Sequence, residues 1–262
     1  MTLILISLFL SLLYSALIIY YRISWKGIPN FSPAVPLAKE TLPFVTIIIA
    51  ARNEENNIGR CIQSIQSQSY PKDKFELIVV NDHSTDSTVE VIESFGKEGI
   101  RIINLADFTE NKIINSYKKK AIDTALKFAQ GDLIVTTDAD CVVPKKWIET
   151  IVSFYVEKKV VFIAAPVIFK NHKKSKGVFN SFLQIFQSLD FMTLQGITGA
   201  SVEKGFHNMC NGANLAYEKK VFFEVNGFEG IDEIASGDDM LLMHKIQKVY
   251  PNKIGFLKSP DA

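Results

Sequence analysis

The chain has 262 residues, 47% of them hydrophobic and 22% charged, with a formal net charge of +1 and a pI of about 7.7. That length suffices for one large or two small domains, and a balance so near neutrality argues against nucleic acid as a partner held by bulk charge. Three scattered cysteines (Cys61, Cys141 and Cys210) without C-x-x-C spacing argue against a disulfide framework or a zinc site, and suit reduced thiols in a cytoplasmic domain.

Leu3 to Tyr21 is a nearly unbroken apolar run. At 1.5 Å per residue it matches the ~30 Å hydrocarbon core of a bilayer. A cleaved signal peptide needs a basic leader and a small-x-small cleavage site; no Lys or Arg precedes Leu3, and the run closes on the bulky Ile18, Ile19, Tyr20 and Tyr21. The anchor reading is therefore preferred over residues 1–22. Tyr20, Tyr21 and Trp25 read as an interfacial aromatic belt, and Arg22 and Lys26 among them point to a cytoplasmic catalytic side of the cell (inner) membrane. Residues 23–43, with Pro29, Pro33, Pro36 and Pro43, read as an extended linker, and 44–262 as the domain.

Beyond Pro43, strand and helix patterns alternate. Val45–Ala50, Phe75–Val80, Ile100–Leu105, Leu133–Thr137 and Val160–Ala165 are strand-like. Between them run helical patterns through Ile58, Cys61, Ile62 and Ile65, over Val89–Phe95, over Lys119–Ala129 and over Trp147–Val156. Strands this apolar, alternating with helices, predict an α/β fold: a mostly parallel sheet covered on both faces, with ligands bound beyond the strands' carboxyl ends. Phe179 to Thr198 is a strongly apolar helix whose one charge is Asp190, following the basic residues His172, Lys173, Lys174 and Lys176. It reads either as a core helix or as an interfacial helix lying on the bilayer beside the anchor.

Four polar clusters fall at strand ends or helix starts. Ala51-Arg52-Asn53-Glu54-Glu55 follows the first strand, and capping alone accounts for much of it. Asn81-Asp82-His83-Ser84-Thr85-Asp86 follows the second; caps explain its Ser and Thr residues but do not require Asp82. Asp138-Ala139-Asp140 follows the fourth, and two acids at that spacing converge only where a strand gives way to a turn, where a shared cation relieves their repulsion. Hard oxygen donors suit Mg2+ or Mn2+. Gly237-Asp238-Asp239 opens a helix through Leu241, Leu242 and Ile246, where acids are also welcome for the helix dipole. No G-x-G-x-x-G follows a strand, and P-loop, G-x-S-x-G and H-E-x-x-H signatures are absent.

In this order the clusters resemble the family 2 glycosyltransferases, which have a GT-A fold. VTIIIAARNEE (45–55) is similar to the family's opening strand and nucleotide loop, VVNDHSTD (79–86) to its V-D-D-x-S-x-D segment with Asn81 in place of the first acid, and Lys119-Lys120-Ala121 to its K-K-A or G-K-A step. TDAD (137–140) resembles its D-x-D element, CNGANLAY (210–217) its G-A-N-L segment, Gly227-Phe228 its G-G-F-like turn, and GDDMLL (237–242) its second acidic pair. The likeness runs from about Pro43 to Phe256.

The resemblance implies a hexosyltransferase-type enzyme that transfers a sugar, with inversion and with Mg2+ or Mn2+, from a UDP- or GDP-sugar to a lipid-linked, membrane-proximal or polysaccharide acceptor. It implies that Ala50, Arg52, Asn53 and Glu54 line the nucleotide-sugar site and that Asp82 binds the base. Asp138 then lies by the nucleotide, Asp140 ligates the metal, and Lys120 (with Lys119 as substitute) contacts the phosphates. Asp239 is the implied general base, with Gly212, Asn214 and Asp238 shaping the donor or acceptor pocket. Membrane-bound relatives continue to a Q-x-x-R-W element and further membrane helices, so the resemblance also implies that the catalytic domain runs on beyond Ala262. Two rival functions are a nucleotidyltransferase, for which Ala50 to Asn56 lacks a Gly-rich basic loop, and an inactive membrane-tethered scaffold, against which the retained Asp140 and Asp239 argue.

Overall fold

A computed structural model describes residues 1–33, 38–96, 99–109, 115–169 and 178–262, with side chains from Phe182 onward in the last range. The chain opens with helix α1 (Thr2–Gly27). Strand β1 (Val45–Ala51) leads to α2 (Ile58–Gln66), β2 (Phe75–Asn81) to α3 (Thr88–Glu93), and β3 (Ile100–Asn104) to α4 (Tyr117–Phe128). Strand β4 (Leu133–Asp138), α5 (Trp147–Lys158), β5 (Phe162–Ala164) and the long α6 (Val178–Glu203) follow. Then come β6 (Leu215–Glu218), α7 (Lys219–Glu224), α8 (Asp238–Val249) and β7 (Ile254–Phe256).

The seven strands form one sheet in the order β3-β2-β1-β4-β6-β5-β7. The first four run parallel to one another, β6 lies antiparallel to both β4 and β5, and β5 pairs parallel with β7. Alternation along each strand fills two cores. Ile47, Ile49, Val79 and Val135 face α2 and α5, packing on Ile62, Trp147 and Ile151. Ile48, Ile78, Val80 and Ile134 face the other side, packing on Ala121, Ala125, Phe222 and Ile246 from α4, α7 and α8. Each such fully buried branched side chain contributes roughly 1.5–3 kcal/mol. The register sets Ala50 opposite Asp138 and Ala51 opposite Asn81, so the carboxyl ends of β1, β2 and β4 stop level with one another. The expected α/β GT-A architecture is present, and β6, for which the sequence offered no strand pattern, is the antiparallel member that makes the sheet mixed.

The N-terminal region differs from the expected anchor over 1–22 and free linker over 23–43. By length and composition α1 is able to cross a membrane, but it continues to Gly27, and its last turns are packed on the domain. Trp25 stands edge-on to Phe256, with ring centroids 5.8 Å apart, and Lys258 Nζ lies 4.6 Å from the Trp25 ring while donating to the carbonyls of Trp25 and Ile28. Ser24, Ile28 and Phe31 are buried, and the Phe31 N–H donates to the Lys258 carbonyl at 2.7 Å. Aromatic burial makes this join, where the prolines alone suggest a loose tether. Within the remaining linker, residues 34–37 lie outside the described residues, as does the basic run from His172 to Lys176.

The α1 join requires Gly199 on α6. A Cβ there meets the Phe256 ring at 2.7 Å and the Trp25 ring at 2.8 Å, whereas a Cβ at Gly196 meets nothing within 4 Å. Gly199→Ala is therefore expected to lose about 1–3 kcal/mol by overpacking and to open the segment after Gly27 to protease. Gly196→Ala should be neutral or slightly stabilising. Thermal unfolding and limited proteolysis of the two variants in detergent check this.

Candidate active site

The polar clusters meet where the parallel strands end. Backbone bonds first fix the loops. After β1 the chain turns through Asn53, which has a left-handed φ of 55° that Asn tolerates well. Its N–H donates to Ser84 Oγ at 3.1 Å and its Oδ1 accepts from the Thr85 N–H at 2.8 Å. The Glu54 N–H donates to Thr88 Oγ1, and Glu55 and Asp86 exchange bonds with each other's loops. Helix α2 starts at Ile58, capped from the Glu54–Asn57 turn, so Asn53 ties two loops together and does not cap the helix.

A cleft of about 280 Å3 opens above these strand ends, lined by Ala50, Ala51, Arg52, Glu54, Asp82, Lys118, Asp138, Ala139 and Asp140. On one side Asp82 is nearly buried, with Oδ1 2.9 Å from His83 Nδ1 and Oδ2 3.9 Å from the Arg52 guanidinium. Tyr117 closes this corner, edge-on to His83 at 5.5 Å and under Arg52 at 5.8 Å. An acid framed by planar groups is suited to a polar, planar ligand.

On the other side, β4 gives way to a turn right after Asp138, and the Cys141 N–H donates back to the Asp138 carbonyl at 3.1 Å. The turn leaves Asp140 exposed at the mouth. Lys118 Nζ donates to Asp138 Oδ1 at 2.7 Å. Gly212 brings the second acidic pair to the same ammonium: its N–H donates to Asp239 Oδ2 at 2.8 Å, and a Cβ on it meets Lys118 Nζ at 3.3 Å and Asp238 Oδ2 at 3.6 Å. A side chain at this position would press on the lysine ammonium, which glycine leaves free to sit between the acids. Burial pushes the Asp239 carboxyl above the ordinary aspartate value, and Asp238 adds to this against the bonds from Met240 and Gly212 and the charge of Lys118. Burial pulls on Lys118 in the opposite sense, yet Asp138, Asp238 and Asp239 together hold its ammonium above the usual lysine value. Cys141, beside Asp140, is pushed up to about 11 by burial and the neighbouring acids, so it remains a thiol.

Of the expected site residues, Asn53 ties the loops without lining the cleft, Gly212, Asp238 and Asp239 stand beside Lys118 at its edge, and Lys120 and Asn214 lie elsewhere. Lys120 points to a separate cavity of 1030 Å3 on the far side of α4, with Asp107, Asp123 and Glu229. The lysine in the cleft is Lys118, two residues earlier. Lys119 is buried between the two, its ammonium taken up by backbone carbonyls of Ile231, Ile234 and Ser236. Three successive helical residues point about 100° apart, so the three lysines meet three different surroundings. Asn214 lies behind the cleft; its Oδ1 accepts from Trp147 Nε1 at 2.9 Å and its Nδ2 donates to the Pro166 carbonyl at 3.0 Å. It braces β6 against α5 and does not line the pocket. His83 and Tyr117, which carry no motif signal of their own, join the site only through the fold.

No group of three or more His, Cys, Asp or Glu side chains able to enclose a metal occurs among the described residues. Asp138 and Asp140 nonetheless offer two hard oxygen donors on one rim. That matches the way Mg2+-like ions are held, by one or two carboxylates with phosphate oxygens and water completing the shell.

The chain is similar in sequence and fold to known proteins. Glycosyltransferase AglE of Haloferax volcanii is 35% identical over 113 residues, 43% of this chain and 36% of that protein. Beta-monoglucosyldiacylglycerol synthase of Nostoc sp. is 27% identical over 135 residues, 52% of this chain and 28% of that protein. Among solved structures, the mannosyltransferase PcManGT from Pyrobaculum calidifontis, in complex with GDP-Man and Mn2+, shares the fold with a TM-score of 0.66 at 21% identity, covering 93% of this chain and 62% of that one. The match thus spans about a third of the length of these curated relatives. Residues 46–222, more than half of the chain and all but the second acidic pair of the cleft, match the model of Glycosyl transferase family 2, and the chain belongs to that family.

Proposed function

We propose that the protein transfers a sugar from a UDP- or GDP-sugar to an acceptor hydroxyl, with inversion at the anomeric carbon. The observation that carries this reading is the convergence of Asp82, Asp138, Asp140 and Lys118 on one cleft beyond the parallel strands, with Asp239 held next to Lys118 by the Gly212 N–H. Asp82, with Arg52 beside it, holds the nucleoside end. Asp138 and Asp140 hold the cation and Lys118 faces the diphosphate. Mg2+ or Mn2+, when bound there, neutralises charge building on the leaving diphosphate. Asp239 accepts the proton of the attacking hydroxyl as its oxygen bonds to the anomeric carbon and the bond to the diphosphate breaks. A raised Asp239 pKa suits a base, since it brings the carboxylate nearer the working pH. One base and one displacement give inversion.

The acceptor is proposed to be lipid-linked or membrane-proximal, with the domain on the cytoplasmic face of the cell membrane. Support comes from α1 and from α6, where Phe182, Ile185, Phe186, Leu189 and Met192 are exposed on the half of the helix away from the body. A bilayer surface relieves that exposure.

Three measurements test these readings. Titration with UDP-glucose, UDP-N-acetylglucosamine and GDP-mannose should show one donor binding only with Mn2+, and Asp140→Asn should abolish that binding; equal metal-free binding to both proteins defeats the metal site. Lys118→Met removes the charge that lowers the Asp239 pKa, so the acid limb of turnover should move to higher pH and the rate at neutral pH should fall at least ten-fold. An unmoved limb separates Lys118 from Asp239. A polarity-sensitive dye on Phe186→Cys, with Cys141 and Cys210 changed to Ser, should emit to the blue in vesicles and be quenched by lipid-borne spin labels; a water-like spectrum argues for an ordinary surface helix.

A further inference from the structure

The second acidic pair is delivered by a segment with little structure of its own. Between α7, which ends at Glu224, and α8, which begins at Asp238, there is no helix or strand, and Asp232 to Ser236 are all exposed. Two lysines hold this segment from the inside. Lys245 of α8 donates to the carbonyls of Asn226, Gly227 and Glu229 at 3.2, 2.7 and 2.8 Å. Lys119 of α4 donates to those of Ile231, Ile234 and Ser236. Gly237 then turns the chain with a φ of 71°, and Asp238 and Asp239 follow at once.

Lys119 is the unusual member. It is 2% exposed, and all three of its partners are neutral carbonyls. An ammonium buried without a carboxylate is costly to desolvate, and an apolar side chain of similar volume commonly stabilises such a site as well or better. What the ammonium supplies is a fixed centre that draws three carbonyls inward and sets where the loop ends. Its neighbour Lys118 lies between Asp138 and Asp239, so the first turn of α4 grips the D-x-D turn with one lysine and the loop leading to the other acids with the next.

We propose that Lys119 is a positioning residue: by gathering the carbonyls of Ile231, Ile234 and Ser236 around its ammonium, it presents Asp238 and Asp239 at the cleft and couples that placement, through α4, to the Asp138 side. The assignment rests on the reading of Asp239 as the base.

The test is Lys119→Met in the full chain, with three readouts and Asp239→Asn in parallel. Amide exchange across residues 231–239 should quicken at least ten-fold while the β1, β2 and β4 amides stay protected. The Kd for the nucleotide sugar selected above, with Mn2+, should stay within two-fold. Release of free UDP or GDP from that donor should fall at least ten-fold in kcat. Unchanged exchange and unchanged kcat overturn the proposal. So does a joint loss of donor affinity and melting temperature, which marks Lys119 as a general packing residue. If Asp239→Asn retains full turnover, the base reading fails, and Lys119 is judged on the exchange of the loop alone.

Discussion

Like charges brought together at a sheet edge must be answered, and the Lys118 ammonium answers them here. Asp138 arrives from the end of β4, Asp238 and Asp239 from the start of α8, and neither strand nor helix can hold these acids close unaided. The lysine sits where their fields overlap, and the absence of a side chain at Gly212 lets it do so. In the proposed reading, a diphosphate and its divalent cation enter among these charges.

The scaffold is the level ending of three parallel strands. Buried branched residues on both faces of β1, β2 and β4 fix their register, so that Asn81, Ala51 and Asp138 finish side by side. Everything polar at that edge lies on loops, stitched together by short Asn, Ser, Thr and Asp side chains that satisfy each other's backbone. Function is carried by loops, and their precision comes from the sheet beneath and the stitching above.

The join between α1 and the domain has an equally local cause. Trp25, Ile28 and Phe31 are buried in the domain, so the last turns of α1 are part of the catalytic body and not a tether. In the proposed reading, the cleft then has a set orientation relative to the bilayer. The exposed apolar half of α6, which packs beside α1, adds a second contact.

Much of this was legible in the residues alone. Periodicity of two and of 3.6 located the strands and helices to within a few residues, because burial on both faces leaves a continuous apolar signal. The turn after β4, the acids at strand ends and the family itself followed from motifs whose order is as informative as their content. Sequence could not choose among Lys118, Lys119 and Lys120. Three identical side chains differ only in helical phase and in what the rest of the fold sets before them: an aspartate, a ring of carbonyls and an open cavity. Nor could it bring Tyr117 against His83, or show Asn214 bracing Trp147, because those partners are 34 and 67 residues apart and meet only when the sheet forms. The sequence by itself determined which chemistry the chain carries, since residue types and local pattern are properties of neighbours along the chain. Which lysine serves which acid, and that α1 is fastened to the domain, depended on contacts between residues far apart, which only the tertiary structure brings together.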